Sequence, residues 1–264
     1  MDASHALAFE YSSKAAQYER HWSPVIRPMA LPLLEALPLR TAHRILDIGA
    51  GSGAHFADLK TAAPNAHIIG VDRAEGMLRV AKQTGNDLLA VTDAQRLGIR
   101  SGTIDVVVMM FVLFHLPDPP SGLREVARVL REGGSVGIVT WGHDPGLPGS
   151  SIWKEELDRE QASPDPRDPI VMQHALMNSR EKLRALLAAA GFASANVWSA
   201  EVTHQWTSDA LLEMQTGCGM PARRLASLSS ERRARCLERV RSRIGCLSRA
   251  ELEYRAEVLF AIAD

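Results

Sequence analysis

Arg44-Ile45-Leu46-Asp47-Ile48-Gly49-Ala50-Gly51-Ser52-Gly53 decides the fold. A short apolar run carries one carboxylate, and glycines then recur at every second position. The run reads as a buried strand. The glycines let the chain turn tightly and bring bare backbone against a ligand. Gly49-x-Gly51-x-x-Ala54 also satisfies the dinucleotide fingerprint G-x-G-x-x-[GA]. Asp47 weighs against that reading. A carboxylate one residue before the strand end suits a cationic ligand group, such as an amino-acid ammonium, and would face a pyrophosphate with like charge.

On the C-terminal side the pattern alternates. A helix is expected near His55-Ala62, a strand at His67-Val71, a helix from about Glu75 to Gln83, and short strands at Leu88-Val91 and Ile104-Met109. Leu123, Val126, Ala127 and Leu130 form the stripe of an amphipathic helix, with Ser121 as its N-cap and Gly133-Gly134 as its stop. Ser135-Trp141 is the fifth strand. Five β-α units in succession predict an α/β fold with a parallel, doubly wound sheet. Further on come helices near Ser150-Gln161, around Leu183, Leu186, Leu187 and Ala190, and near Asp209-Cys218 and Ser230-Arg243, with strand-like Ala195-Trp206 among them. The final extended run, Glu251-Ala263, has no helix after it and is expected to enter the sheet antiparallel, as the last of seven strands. On the N-terminal side, Tyr11 and Tyr18 sit seven apart and share a helix face. Pro24, Pro28, Pro32 and Pro38 are expected to break the following stretch into short pieces.

Two more carboxylates follow strands. Asp72, in Gly70-Val71-Asp72, lies 25 residues after Asp47, where it can accept hydrogen bonds from both hydroxyls of a ribose. Asp93, in Val91-Thr92-Asp93-Ala94, can meet the exocyclic amine of an adenine, and Ala94 leaves room for the ring. These features specify a nucleoside without choosing the cofactor.

Composition excludes several classes. The chain has 264 residues, 46% hydrophobic and 23% charged, with a net charge of -1. A core of that size needs no disulfide or metal, and the balance gives no global steering to nucleic acid or an anionic membrane. Cys218, Cys236 and Cys246 form no CxxC pair, so neither zinc nor a disulfide framework is expected. No signal peptide and no membrane-spanning run is read, which makes a cytoplasmic protein the expectation. From Arg223 to Arg249 nine arginines face only Glu231 and Glu238. That segment reads either as solvated helix faces or as a basic lip for an anionic substrate or carrier protein.

Ile45-Gly53, Gly70-Val80, Val91-Leu97, Asp105-Val108, His115-Asp118 and Leu123-Gly134 stand in an order and spacing that resemble the ubiquinone/menaquinone-type (methyltransferase type 11) branch of class I S-adenosylmethionine (SAM)-dependent methyltransferases. The likeness covers about residues 40–141. It implies a Rossmann-like sheet, mostly parallel with an antiparallel last strand. It implies a helical lid over residues 1–40 and a SAM-binding domain over 41–264, with a helical insertion at about 142–178 and helices at about 207–248 covering the acceptor. It also implies roles. Asp47, Gly49, Ala50, Gly51 and Gly53 would hold the methionine part of SAM, and Asp72 the ribose, with Arg73 and Met77 beside it. Asp93 and Ala94 would meet the adenine. Met109, Met110 and Phe111 would line the floor near the sulfonium, and Tyr11 and Tyr18 would close over the cofactor. Arg73-Ala74 departs from the polar residue and Ser or Pro common there. Phe111-Val112-Leu113-Phe114 is more apolar than usual and suggests a greasy acceptor pocket.

Asp118-Pro119-Pro120 invites comparison with the Pro-Pro-Tyr box of amino-methylating enzymes, but Ser121 replaces the aromatic. The acceptor pocket is expected around Phe114, His115, Trp141, Trp153, Met172 and Trp206, with Met177 and Met214 adding apolar surface. His115 and His143 are the candidate general bases; His174 and His204 are weaker ones. The expected reaction is O-, N- or C-methylation of a hydrophobic small molecule in natural-product biosynthesis, with S-adenosylhomocysteine (SAH) as product, by a monomer or homodimer. Quinone biosynthesis, a SAM-binding protein without methyl transfer, an NAD(P)-dependent oxidoreductase and a nucleic-acid methyltransferase are the competing readings.

Overall fold

The computed structural model describes residues 2–86 and 88–264; Met1, at the head of the expected lid, and Asp87 lie outside them. The chain begins with three helices, α1 (Ala3–Ser13), α2 (Ala15–His21) and α3 (Ser23–Ala36). Then come β1 (Arg44–Ile48), α4 (Phe56–Ala62), β2 (His67–Asp72), α5 (Glu75–Ala81), β3 (Leu89–Val91), β4 (Ile104–Met110), α6 (Pro119–Val129) and β5 (Leu130–Trp141). Helices α7 (Ser150–Arg159) and α8 (Arg180–Ala189) precede β6 (Ala195–Gln205). Helices α9 (Ser208–Gly217), α10 (Gly219–Leu225) and α11 (Ser230–Gly245) precede β7 (Glu253–Ala263).

The strands form one seven-stranded sheet in the order β3-β2-β1-β4-β5-β7-β6. The first five are parallel, and β7 lies between β5 and β6, antiparallel to both. Strands β1 and β4 are buried along nearly their whole length, which fits their apolar runs. Strand order reverses between β1 and β4, and the crevice beyond the strand ends at such a switch point is where open α/β sheets bind ligands.

Four local expectations are corrected. Helix α3 is continuous although Pro28 and Pro32 lie inside it. Prolines 24, 28 and 32 recur every fourth residue on the exposed face, so water can solvate the carbonyls they free, while Val25, Ile26, Met29, Ala30, Leu33 and Leu34 are buried opposite. Lys14 separates α1 from α2, so Tyr11 and Tyr18 stand on two helices and still meet edge-on at 5.8 Å. Asp118, rather than Ser121, caps α6, its carboxylate accepting from the Ser121 N–H; the helix ends at Val129, before Gly133. Ile104 pairs with Leu130 and Val106 with Ser135, so residues 131–134 loop out of the ladder. Finally, the link from β3 to β4 holds no helix: Arg128 donates to the carbonyls of Leu97 and Ile99 and holds it irregular.

The arginine-rich segment is mainly an internal seam. Arg235, Arg239 and Arg243 rise along one face of α11 and bind Glu155 and Glu156 of α7 and Glu160, its C-cap. Glu156 is 1% exposed and meets both Arg239 and Arg243. Replacing Glu156 by Ala leaves two guanidiniums without their buried partner. The variant is expected to lose about 1.5–3 kcal/mol of stability, read as a lowered denaturation midpoint, whereas Glu201→Ala, in an exposed pair with Arg255, should change it little.

Candidate functional site

The C-terminal ends of β1, β2, β3 and β4 open into one chamber of about 860 Å³, its mouth included. Ile48, Gly49 and Gly51 come from β1 and its loop, Val71 to Ala74 from β2, Thr92 to Ala94 from beyond β3, and Met110 to Val112 from β4. Helix α1 supplies the opposite wall with Ser4, Leu7, Ala8 and Tyr11. It rests on α5 at Gly76, where an added Cβ would come within 2.4 Å of the Ser12 carbonyl oxygen.

The backbone at the base of the chamber is strained in two places. Gly49 has φ of +73°, and a Cβ there would strike Val112 at 2.4 Å, so no other residue fits. Phe111 has φ of +56°, a conformation rare for a bulky side chain and one that clusters at ligand sites. Its N–H donates to Val139, and its ring lies 4.6 Å from that of Trp141.

Two carboxylates define the electrostatics. Asp47 is 2% exposed on β1, directly behind the glycine loop, and no donor among the described residues reaches it. Burial first, and then the like charge of Asp72, push its pKa up to about 8. Folding therefore takes up a proton at Asp47. Its charge costs stability increasingly as pH rises from the ordinary carboxylate value towards about 8, and fully above that. A cation placed beside it removes this cost. Asp72 is also held above its ordinary value by its enclosure, partly offset by the N–H groups of Ala74 and Gly51, which donate to it at 2.7 and 2.9 Å. Asp93 pairs with Arg73 at 3.3 Å.

Opposite them stand two phenols. Burial pushes Tyr11 up to about 12 and Tyr18 well above the usual phenol value, so both keep their protons. Tyr11 lies 3.0 Å from Nε2 of His115, whose Nδ1 lies 3.2 Å from the Val171 carbonyl. Nδ1 therefore carries the proton, and Nε2 accepts the Tyr11 hydroxyl. Burial holds His115 near 4, neutral at ordinary pH.

Tyr11 and Tyr18 also line a second chamber of about 670 Å³, its mouth included. Trp22, Leu147 and Met214 give it apolar surface; Glu10, Lys14, Arg167 and Arg223 give it charge.

Of the residues expected from the sequence, Tyr11, Tyr18, Gly49, Gly51, Asp72, Arg73, Met77, Asp93, Ala94, Met110, Phe111 and His115 line the first chamber. Asp47, Ala50, Gly53 and Met109 lie behind it: Asp47, Ala50 and Met109 are buried, and a Cβ on Gly53 would meet Phe56 at 2.7 Å. The expected acceptor residues mostly stand elsewhere. His143 is exposed and lines neither chamber. Trp153 is a core residue donating to Gln215, and Trp206 is buried. Trp141 backs Phe111, Phe114 stacks on His174, and Met172 is 38% exposed. Lys14 and Arg167 were not foreseen, because no local pattern marks them; Arg223 opens the segment that the sequence offered as a basic lip.

The chamber thus has two carboxylates, Asp72 and Asp93, in its wall and a buried one behind it, Asp47, that no cation among the described residues meets. Comparison with known proteins agrees. Residues 46–138 match the model of a methyltransferase domain. Malonyl-[acyl-carrier protein] O-methyltransferase of Geobacter sulfurreducens is 32% identical over 201 residues, 75% of this chain and 71% of that one. Demethylmenaquinone methyltransferase of Beutenbergia cavernae is 33% identical over 121 residues, 46% of this chain and 50% of that one. The solved structure of Haemonchus contortus phosphoethanolamine N-methyltransferase 2, with phosphomonomethylethanolamine and SAH, shares the fold at a TM-score of 0.55 and 20% identity, over 96% of this chain and 58% of that one. On the likeness to these relatives, this chain belongs to the SAM-dependent methyltransferases.

Proposed function

We propose that the first chamber holds SAM, the second holds the methyl acceptor, and the chain methylates a small molecule. The observation that carries this is Asp47, a buried carboxylate with no protein donor that a ligand ammonium would satisfy. Gly49 and Gly51 would give the methionine part its close approach, Asp72 would take the ribose hydroxyls, and Asp93 with Ala94 the adenine. Met110 and Phe111 form the floor between the cofactor and β5. SAM supplies a methyl group already activated by a positively charged sulfur, so the protein's task is placement and exclusion of water.

Residues 1–40 would serve as the lid. Helix α1 walls the cofactor chamber, and Tyr11 and Tyr18 stand between the two chambers. His115 positions Tyr11 by accepting its hydroxyl. At a pKa near 4 it is a weak proton acceptor, and a general base adds rate only where the acceptor must lose a proton. The names of the relatives add a quinone precursor and a carrier-bound malonyl group to the natural products expected from the sequence. The half-apolar, half-charged wall of the second chamber suits an amphipathic acceptor of any of these kinds.

Calorimetric titration with SAH, beside NADH, tests the cofactor assignment. Wild type is expected to bind SAH and not NADH, and Asp72→Ala to bind SAH about ten- to a hundredfold more weakly. NADH binding, or an Asp72→Ala variant indistinguishable from wild type, would sink it. Asp47→Asn separates function from stability: above pH 8 it should raise the melting temperature while weakening SAH binding. A variant with unchanged affinity would remove Asp47 from the site.

A further inference from the structure

The second chamber carries one positive charge more than its own protein groups neutralise. Arg223 donates through Nε and Nη2 to both oxygens of Asp165, each at 2.8 Å, and through Nη1 to Glu10 at 2.8 Å. Arg167 shares the same Asp165, through Nε and Nη2. Its Nη1 has no partner among the described residues, and neither has the Lys14 ammonium. Three cations thus stand against two carboxylates around one recess. Arg223 is 12% exposed and Arg167 21%, so bulk water screens this charge only in part.

The cations have a definite place. Lys14, Arg167 and Arg223 line the second chamber and not the first, whereas Tyr11 and Tyr18 line both. They therefore face the end of the acceptor remote from the cofactor. Trp22, Leu147 and Met214 share that chamber and would bury an apolar body. Arg224, Arg235, Arg239 and Arg243 are paired with acidic residues of α7 or just beyond it, and Arg233, Arg241 and Arg249 are exposed and line neither chamber.

We propose that the methyl acceptor carries a single anionic oxygen group, of which a carboxylate is the simplest, and that Arg167 and Lys14 hold it as an anchor while a different atom of the acceptor takes the methyl. This rests on the second chamber being the acceptor site. Nη1 of Arg167, left over from its fork on Asp165, can donate to one oxygen of such a group, and the Lys14 ammonium, which lines the same chamber, can donate to the other. A neutral acceptor would leave that charge unsatisfied and would be selected against.

The test uses the full chain with SAM and matched probes: hydroxybenzoate, hydroxyphenylacetate and hydroxycinnamate, their primary amides, and 4-hydroxyphenyl phosphate. SAH formation reports turnover. The acids are expected to exceed their amides in kcat/KM by about ten- to a hundredfold. Arg167→Gln should erase that preference through KM, Lys14→Gln should reduce it, and SAH affinity should stay at the wild-type value in both. The products should be stable to alkali, as ethers are. Preference for the phosphate over the acids would keep the anionic anchor and change its chemistry. Equal use of acids and amides, turnover or binding confined to neutral probes, no anionic probe bound or turned over, or an alkali-labile methyl ester would each overturn the proposal. Turnover of neutral probes would leave the methyltransferase reading standing, whereas failure to bind SAH would remove that reading itself.

Discussion

Asp47 and Asp72 stand at the ends of neighbouring parallel strands, and no cation among the described residues stands between these two enclosed carboxylates. In a folded protein such an arrangement costs free energy, and it persists where the missing partner is a ligand. The arrangement requires β1 and β2 to be adjacent, parallel and in register, with Asp47 opposite Gly70. The glycine at 70 is itself required, because a Cβ there would strike Phe56 at 2.6 Å. Register, strand order and ligand charge are therefore one constraint.

The helices ahead of the sheet complete it. Helix α3 docks on the sheet through Leu33 and Leu37, which leave no room for a side chain at Gly137 of β5. That docking carries α1 and α2 over the strand ends. The Tyr11–His115–Val171 chain then ties α1 to the segment that follows α7. The Tyr11 phenol thus reaches the segment after α7 through His115, which follows β4, and with Tyr18 it lines both chambers. Phe111, held at positive φ against Trp141, gives the floor a shape that relaxed backbone would not.

The cofactor half was legible because its signals are local. A strand, a glycine turn and a terminal carboxylate occupy ten consecutive residues, and period and spacing place Asp72 and Asp93 at equivalent strand ends. The helix ends were less legible: Asp118, five residues before the helical stripe, proved the better cap, and four-residue spacing let prolines share a helix with the core face. The second chamber was hidden because it is assembled from α1, α2, α9, α10 and the loop around Arg167, which only the tertiary fold brings together. Bulky residues such as Trp153 and Trp206 read as pocket residues and are core. The arginine run read as solvated helix faces or as a basic lip, and much of it pairs with acidic residues of α7 or just beyond it. Composition showed its charge, and nothing in the sequence showed which acidic helix would face it.

The most direct test of a carboxylate awaiting a cation is proton release. SAH binding should be measured calorimetrically near pH 7 in buffers of different ionisation enthalpy. If Asp47 is largely protonated in the free protein and ionises against the ligand ammonium, the wild type should release close to one proton. Affinity should then rise with pH until about 8. The Asp47→Asn variant should release none. No proton release from wild type, with affinity flat across that range, would contradict the account.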